Sequence, residues 1–565
     1  MNPGLTPGAV APSIAPPVRA GLVLCLVAAL LPSAWLAWRF RTMPQLGAYH
    51  DDAVYLVTAK ALAEGSNYRI LSLPEKPFQT KYPPLLPLLL SIVWRIDPGF
   101  PGNLSKVTAV CWSLLPIYLF LVFRLLRQWG LSTVETTSIC ALAAISPHVV
   151  LSGLMTMSEL LFGVFVVAAL LLLERGMQKP SPAMFAAAGA AGGLAFLTRT
   201  QGVALLVSAV FVLLWRKRSI AAAVFSAVFG VFVAGWWLWT HAHAYSGTDP
   251  VTVYYVDYVR FYRASVHWSE IPLLIQTNLD SMFTGAARLL FATTGSSLAS
   301  RMFSWVVAIA VISGIRRAVV RSGQLHLAFF ALASFGMFIP WNWPPNERYL
   351  LPLWPAIATG FYFELRHLFD LCRVNFKLDV PRRVVASAMC LAAVTVCLAV
   401  VHNNVRGILV DLPAVLENFH RISDARRPGY EWLRQHSPVD AQILTYDDPL
   451  MYLYSERRGY AMPIVHWLTY ASTPGQREAY FKTAADFMQE HKLSYALATA
   501  GDFRRDLQED GRSAFGNALH DQSVFEEQFN SAGAGIFKLK PRLNATLSAR
   551  GTWWAGVRNS IPAIR

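Results

Sequence analysis

The stretch GLVLCLVAALLPSAWLAWRFRTMPQLGAYHDDAVY, residues 21–55, decides how this chain is read. It opens with an apolar run from Gly21 to Trp38, and roughly 17–25 apolar residues suffice to cross a bilayer. The run is too long for the apolar part of a secretion signal and lacks a small-residue cleavage site. It therefore reads as a retained membrane helix. Two adjacent acids, Asp51 and Asp52, follow. Carboxylates at the mouth of a membrane are costly to keep. The pair points to chemistry at the membrane surface.

The rest of the chain repeats the first signal. Of 565 residues, 54% are hydrophobic and only 15% charged, against about 25% charged in soluble domains. Apolar runs recur over roughly 20–38, 104–126, 134–153, 157–173, 183–198, 203–215, 220–240, 302–315, 325–341, 349–366 and 384–402. This predicts a polytopic α-helical membrane protein of about 11 spans, within a range of about 11–13. Pro83–Ile96 is apolar but short, and fits an interfacial or re-entrant segment.

The net charge of +15 does not call for nucleic acid. Lys and Arg cluster between apolar runs, as at Arg124/Arg127, Arg216–Arg218 and Arg316/Arg317/Arg321. With a cytoplasmic N-terminus, nearly every cluster falls inside. The other face then receives the 39–103 loop, the 241–301 loop, the turn near Glu347 and the C-terminal region. The six cysteines form no CxxC pair and no metal-ligand spacing, so neither a disulfide framework nor a thiolate metal site is expected.

Four regions follow. Residues 1–19 are Pro/Gly/Ala-rich and read as disordered. Residues 20–402 form the transmembrane domain. Residues 403–540 alternate helical and strand patterns: AQILTY and SYALATA as strands, RPGYEWLRQH, PLMYLYSERRG and REAYFKTAADFMQEHK as helices. They predict a small α/β extracytoplasmic domain. Residues 541–565 read as a loose tail, with Trp553 and Trp554 suited to a membrane interface.

The candidate site residues all map to the outer face. Asp51 and Asp52 open a helix, DDAVYLVTAKALAEG, on which Tyr55 and Lys60 follow one and two turns later. One acid could serve only as a helix cap. Lys81 precedes Pro83 and Pro84, which hold the chain extended at the start of an apolar run. It reads either as a snorkelling lysine or as a ligand for a lipid phosphate. Glu159, after Ser158, is either a first-turn acid favoured by the helix dipole or a second active-site carboxylate. Arg199 and Arg348 sit on the outer face against the basic-inside trend, so they suit a phosphate or a carboxylate partner. A local Glu347–Arg348 pair is the plainer alternative. Tyr55, Tyr82 and Tyr349 are the supporting aromatics. His241, His243 and His267 fall in the second outer loop; the HxH pair His241/His243 lacks an acidic neighbour at helical spacing, and no metal ligand is assigned.

Taken in order, DDAVY, AKALAEG, KYPPLLPLL, MSELLF, GLAFLTRTQG and ERYLLPLWP resemble the C-superfamily of membrane glycosyltransferases. The resemblance runs over about 20–402 and leans to the protein O-mannosyltransferase and aminoarabinose (lipid A) transferase branch, including bacterial dolichyl-phosphate-mannose-protein mannosyltransferase-like proteins. PLMYLYSERRG resembles the YLYTGR-type segment of related outer domains. The resemblance implies a polyprenyl-phosphate sugar donor and transfer with inversion to an extracytoplasmic glycan, lipid or protein, in the inner or plasma membrane. An Asp-Glu pair in the family's first outer loop falls on Asp51 and Asp52, with Asp51 as the base. Asp52 departs from the pattern. Glu159 matches a second acid. Lys81 matches the lysine that binds the donor phosphate, with Arg348 and Arg199 as further cations. Aminoarabinose transferases carry Glu before that lysine and use it, with a histidine, to hold a divalent metal. Here that position is Thr80, which speaks against both features.

Other functions remain. A lipid-linked-saccharide transporter or flippase would use the same lip residues, but no internal repeat is seen. A surface-polysaccharide polymerase or ligase would show large basic outer loops. A scaffold carrying an outer sensor domain would need none of these charges.

Overall fold

A computed structural model describes residues 16–292, 297–323, 325–375, 380–470, 472–503, 506–541 and 553. The N-terminal half is helical: α1 Pro16–Arg39, α2 Asp51–Ala63, α3 Leu85–Ile96, α4 Leu104–Gln128, α5 Thr133–Ile145, α6 Pro147–Gly153, α7 Glu159–Gln178, α8 Pro182–Thr198, α9 Val203–Trp215 and α10 Ser219–Ala242. Next come α11 Pro250–Val256, α12 Tyr258–Ser265, α13 Ile271–Phe291, α14 Leu298–Ser322, α15 Leu325–Phe338, α16 Glu347–Leu350, α17 Trp354–Asn375, α18 Val380–Arg406 and α19 Leu412–His436.

The molecule is a polytopic helical membrane protein, but the expected count of about eleven spans is corrected. Among the described residues, six helices are long and apolar enough to cross a membrane, or seven if one bent pair counts as a single span. For three of the missing spans the reason is length. At about 1.5 Å per residue, a helix needs about 20 residues to cross. The expected spans at 183–198, 203–215 and 325–341 become helices of 17, 13 and 14 residues. The expected span 134–153 breaks between α5 and α6 at an angle of 66°. Pro147 is the cause, because it holds Ser146 extended (φ −70°, ψ 120°). The short, apolar α3 stands where the sequence placed an interfacial or re-entrant segment.

α18 does not stop at the end of its apolar run. It continues through one wide turn, Gly407–Asp411, into α19. Ser387–His436 is thus one 50-residue helical path from the spans into the C-terminal domain.

That domain contains β1 Gln442–Thr445, α20 Asp448–Ser455, β2 Arg458–Tyr460, α21 His466–Tyr470, α22 Pro474–Lys482, α23 Ala484–Glu490, β3 Tyr495–Thr499, α24 Gln508–Leu519, β4 Phe525–Ser531 and β5 Ala534–Leu539. The sheet order is β2-β1-β3-β5-β4. β1 runs parallel to β2 and β3, whereas β5 is antiparallel to β3 and β4. The single helix expected over REAYFKTAADFMQEHK is two, because Thr483 ends α22 and starts α23. Trp553, expected at a membrane interface, is buried in the aromatic core of this domain beside Tyr480 and Phe487. Its indole donates to Thr483 at 2.9 Å. Trp554 lies outside the described residues.

Candidate active site

The loop before α2 turns sharply at His50, whose φ of 61° is rare for a residue with a side chain. His50 is the N-cap, and it makes no side-chain cap bond. Asp51 is therefore not the cap. Its side chain is 22% exposed and faces a cavity of about 1270 Å³. One carboxylate oxygen accepts from the Tyr82 hydroxyl at 2.6 Å, and the other pairs with Arg348 Nη2 at 3.1 Å.

Asp52 points elsewhere. It is fully buried, and its oxygens accept the backbone N–H groups of Gly47 (3.0 Å) and Ala53 (2.9 Å). It does not line the cavity. Burial, helped by the nearby Asp447 carboxylate, pushes its pKa up to about 7. Adjacent residues of a helix point about 100° apart, so two neighbouring acids need not share a target.

Glu159 begins α7 and is also fully buried. Its Oε1 holds two cations, Arg199 Nη1 at 2.7 Å and Arg348 Nε at 2.8 Å. Arg199 reaches it because α8 ends there in an extended residue (φ −149°, ψ 132°). The next turn then folds back tightly at Gly202, where a Cβ would stand 2.6 Å from the Phe196 backbone nitrogen. Ser158 is the N-cap of α7 but makes no side-chain cap bond: its hydroxyl accepts from Arg199 and contacts the Tyr55 hydroxyl at 3.2 Å. Glu347 does not pair with its neighbour Arg348; it pairs with His148 and Arg288 at 3.5 Å each. The Arg348 guanidinium lies over the rings of Tyr49 and Tyr349. Burial works against its charge, but Glu159, Tyr349 and Asp51 hold it well above the ordinary arginine range.

Lys81 stands on another wall of the same cavity. Its ammonium donates to the Tyr254 carbonyl at 2.8 Å and lies over the rings of Tyr254, Tyr258 and Tyr82. This aromatic enclosure holds the charge beside the cavity instead of letting it reach outward as a snorkelling lysine would. The Thr80 hydroxyl donates to the Val256 carbonyl at 2.7 Å.

The structure thus brings Asp51, Tyr55, Lys81, Tyr82, Arg199, Arg348 and Tyr349 to one cavity, with Glu159 behind the arginines. Tyr254 and Tyr258 had no assigned role in the sequence. His241 also lines the cavity, stacked on Trp237, while His243 packs between Trp239 and Phe78 and His267 caps a short turn. Among the described residues, no three His, Cys, Asp or Glu side chains converge as metal ligands. With Thr80 bonded to Val256, the residues around Lys81 do not fit a metal.

A family model described as dolichyl-phosphate-mannose-protein mannosyltransferase matches residues 81–239, which carry Lys81, Glu159 and Arg199. ArnT from Cupriavidus metallidurans in the apo state has a similar structure, with a TM-score of 0.50, 13% identity, and coverage of 93% of this chain and 100% of that one. The Archaeoglobus fulgidus oligosaccharyltransferase, in complex with Zn and sulfate, has a TM-score of 0.52 and 15% identity, covering 84% of this chain and 68% of that one. The chain shares the fold of these two proteins. No curated protein sequence matches the chain. Within this fold, the cavity lies where the loops after α1 and α10 meet the ends of α8 and α15 and the short α16.

Proposed function

We propose that this chain is a membrane glycosyltransferase that moves a hexose or pentose from a polyprenyl phosphate to an extracytoplasmic glycan, lipid or protein. The observation that carries this reading is the setting of Asp51. A carboxylate lies on the wall of a large cavity, held between Tyr82 and Arg348, with Lys81 and Arg199 on the same walls. A pocket for one small ligand has about 300–1,000 Å³. The larger volume here leaves room for a donor headgroup and an acceptor together.

The chemistry needs a base on one side and cations on the other. The acceptor hydroxyl oxygen attacks the anomeric carbon as the bond from that carbon to the phosphate oxygen breaks. Asp51 takes the hydroxyl proton. Each carboxylate oxygen has a second lone-pair direction beyond its bond to Tyr82 or Arg348. Such general-base help gives about 10²–10⁴ in rate. The departing phosphate keeps the electron pair and needs positive charge rather than a proton. Lys81, Arg199 and Arg348 supply it. A single displacement inverts the anomeric centre.

Glu159 is a positioning residue in this scheme, since it holds two arginines and does not line the cavity. Asp52 fixes the loop that presents Asp51. The family match over residues 81–239 supports the protein-mannosyltransferase-like branch, and Thr80 argues against an aminoarabinose donor. Basic clusters set the N-terminus in the cytoplasm and the cavity and C-terminal domain outside the inner or plasma membrane. Label transfer from an undecaprenyl-phosphate sugar, compared between wild type and Asp51→Asn, tests the reading.

A further inference from the structure

The C-terminal domain touches the membrane domain through two consecutive buried acids, Asp447 and Asp448, at the head of α20. Each meets a residue adjacent to the transfer site. Asp447 Oδ1 lies 3.4 Å from His50 Nδ1, and His50 directly precedes Asp51. Asp448 accepts a hydrogen bond from the hydroxyl of Tyr255. Tyr255 is flanked by the two residues whose carbonyls hold the other wall: Tyr254 accepts from Lys81 at 2.8 Å, and Val256 accepts from Thr80 at 2.7 Å. The His50 and Tyr255 rings also meet, with centroids 5.5 Å apart.

We propose that Asp447 and Asp448 are positioning residues for the transfer site, setting Asp51 through His50 and Lys81 through Tyr255. The inference rests on the glycosyl-transfer reading above and gives the C-terminal domain a part in it. Three observations carry it. First, His50 has a backbone conformation rarely adopted by residues other than glycine, and such conformations persist only where the surroundings enforce them. Asp447 is one of the groups that do so. Second, the loop is seated on the C-terminal domain at close range. Arg426 donates to the Leu46 carbonyl at 2.7 Å, and Gly47 (φ 86°) comes so near that a Cβ would stand 2.3 Å from Asp447 Oδ2. Third, Tyr255 is buried at 2% exposure, and a buried phenol needs a partner, which Asp448 supplies. Breaking that bond frees the last turn of α11, and with it the two carbonyls that aim Thr80 and Lys81.

The test uses the full chain in detergent, with tritiated undecaprenyl phosphate as the probe. Tyr255→Phe removes one hydroxyl and Asp448→Asn one charge; the second serves if the first does not fold. Each is expected to raise the half-saturating undecaprenyl phosphate concentration by about tenfold, the worth of one hydrogen bond to a charged group. In the Lys81→Met background the same change is expected to add less than about twofold, because the effect runs through Lys81. A purely structural lesion would weaken both backgrounds alike. Hydrogen exchange without any ligand gives a second readout: Tyr255→Phe is expected to speed exchange at Lys81 and Tyr82 while the α4 amides stay protected. Unchanged binding in Tyr255→Phe and Asp448→Asn, or equal losses with and without Lys81, overturns the inference. If the wild type shows no saturable binding, the donor reading fails. Hydrogen exchange then decides the positioning claim alone, and unchanged exchange at Lys81 and Tyr82 overturns it.

Discussion

Arg348 Nη2 stands 3.1 Å from Asp51 Oδ2, across a separation of 297 positions in the chain. The same guanidinium reaches Glu159 through Nε at 2.8 Å. One planar cation thus ties the loop after the first span to the head of α7. Arginine suits this task because its donors form a rigid fork, whereas a lysine is a point charge. Arg348→Lys is expected to keep the charge and lose one of the two contacts. Transfer should fall about 10- to 100-fold, the worth of one charge-assisted hydrogen bond, with the melting temperature little changed. Steady-state rates and thermal unfolding of the same preparation check this.

Glu159 is the stronger structural element of that group. It is fully buried and neutralises the buried Arg348 and the half-buried Arg199. Glu159→Gln leaves Arg199 and Arg348 facing each other without an anion between them. Breaking a buried pair from one side costs about 3–5 kcal/mol. The variant should therefore be less stable by an amount of that order, which thermal unfolding in detergent measures.

Lys81→Met removes the charge but keeps the length of the side chain that crosses the aromatic enclosure. If Lys81 binds the donor phosphate, affinity for undecaprenyl phosphate should fall about 10- to 100-fold. The unfolding temperature should stay near that of the wild type, because the contacts of the stem with Tyr254 and Tyr258 persist. Equilibrium binding of the labelled lipid tests it.

Much of this site was legible in the sequence. The first acid of the pair, the lysine before two prolines and the two arginines all reach one cavity. What the sequence could not separate was Asp51 from Asp52. They are neighbours of one type, and only the turn at His50 sends one carboxylate to the cavity and the other to backbone amides. Tyr254 was hidden for a different reason: it holds Lys81 through its carbonyl, a group every residue carries. The span count went wrong where apolar runs fold into helices of 13–17 residues, since hydropathy alone does not report where a helix stops. The break between α5 and α6 had a visible cause in Pro147. Strands β2, β4 and β5 went unread because they are short or carry exposed charges, as Glu526 and Glu527 do on β4.

Asp52 predicts a pH dependence of stability with a definite sign. It lies in α2, outside the spans, and its pKa is raised from 3.8 to about 7 by burial and then by Asp447. Between those values the folded protein binds a proton that the unfolded chain releases, so stability falls as pH rises from about 4 to about 7. The full effect of one such group is at most about 4 kcal/mol. Asp52→Asn removes the titration. The melting temperature of the wild type relative to that variant should decline across this window. A difference that is flat with pH would contradict the assignment.

The central claim is that Asp51 takes the proton of an acceptor while a polyprenyl phosphate departs. The most direct measurement supplies wild type and Asp51→Asn, in membranes and at matched folded amounts, with undecaprenyl-phosphate sugars extracted from cells labelled with tritiated sugar. The wild type is expected to move label from the lipid to a product no longer linked to undecaprenyl phosphate. Asp51→Asn should bind the lipid but transfer at least about 10²-fold more slowly, the lower bound for losing a general base. Transfer at the wild-type rate by Asp51→Asn would contradict the account.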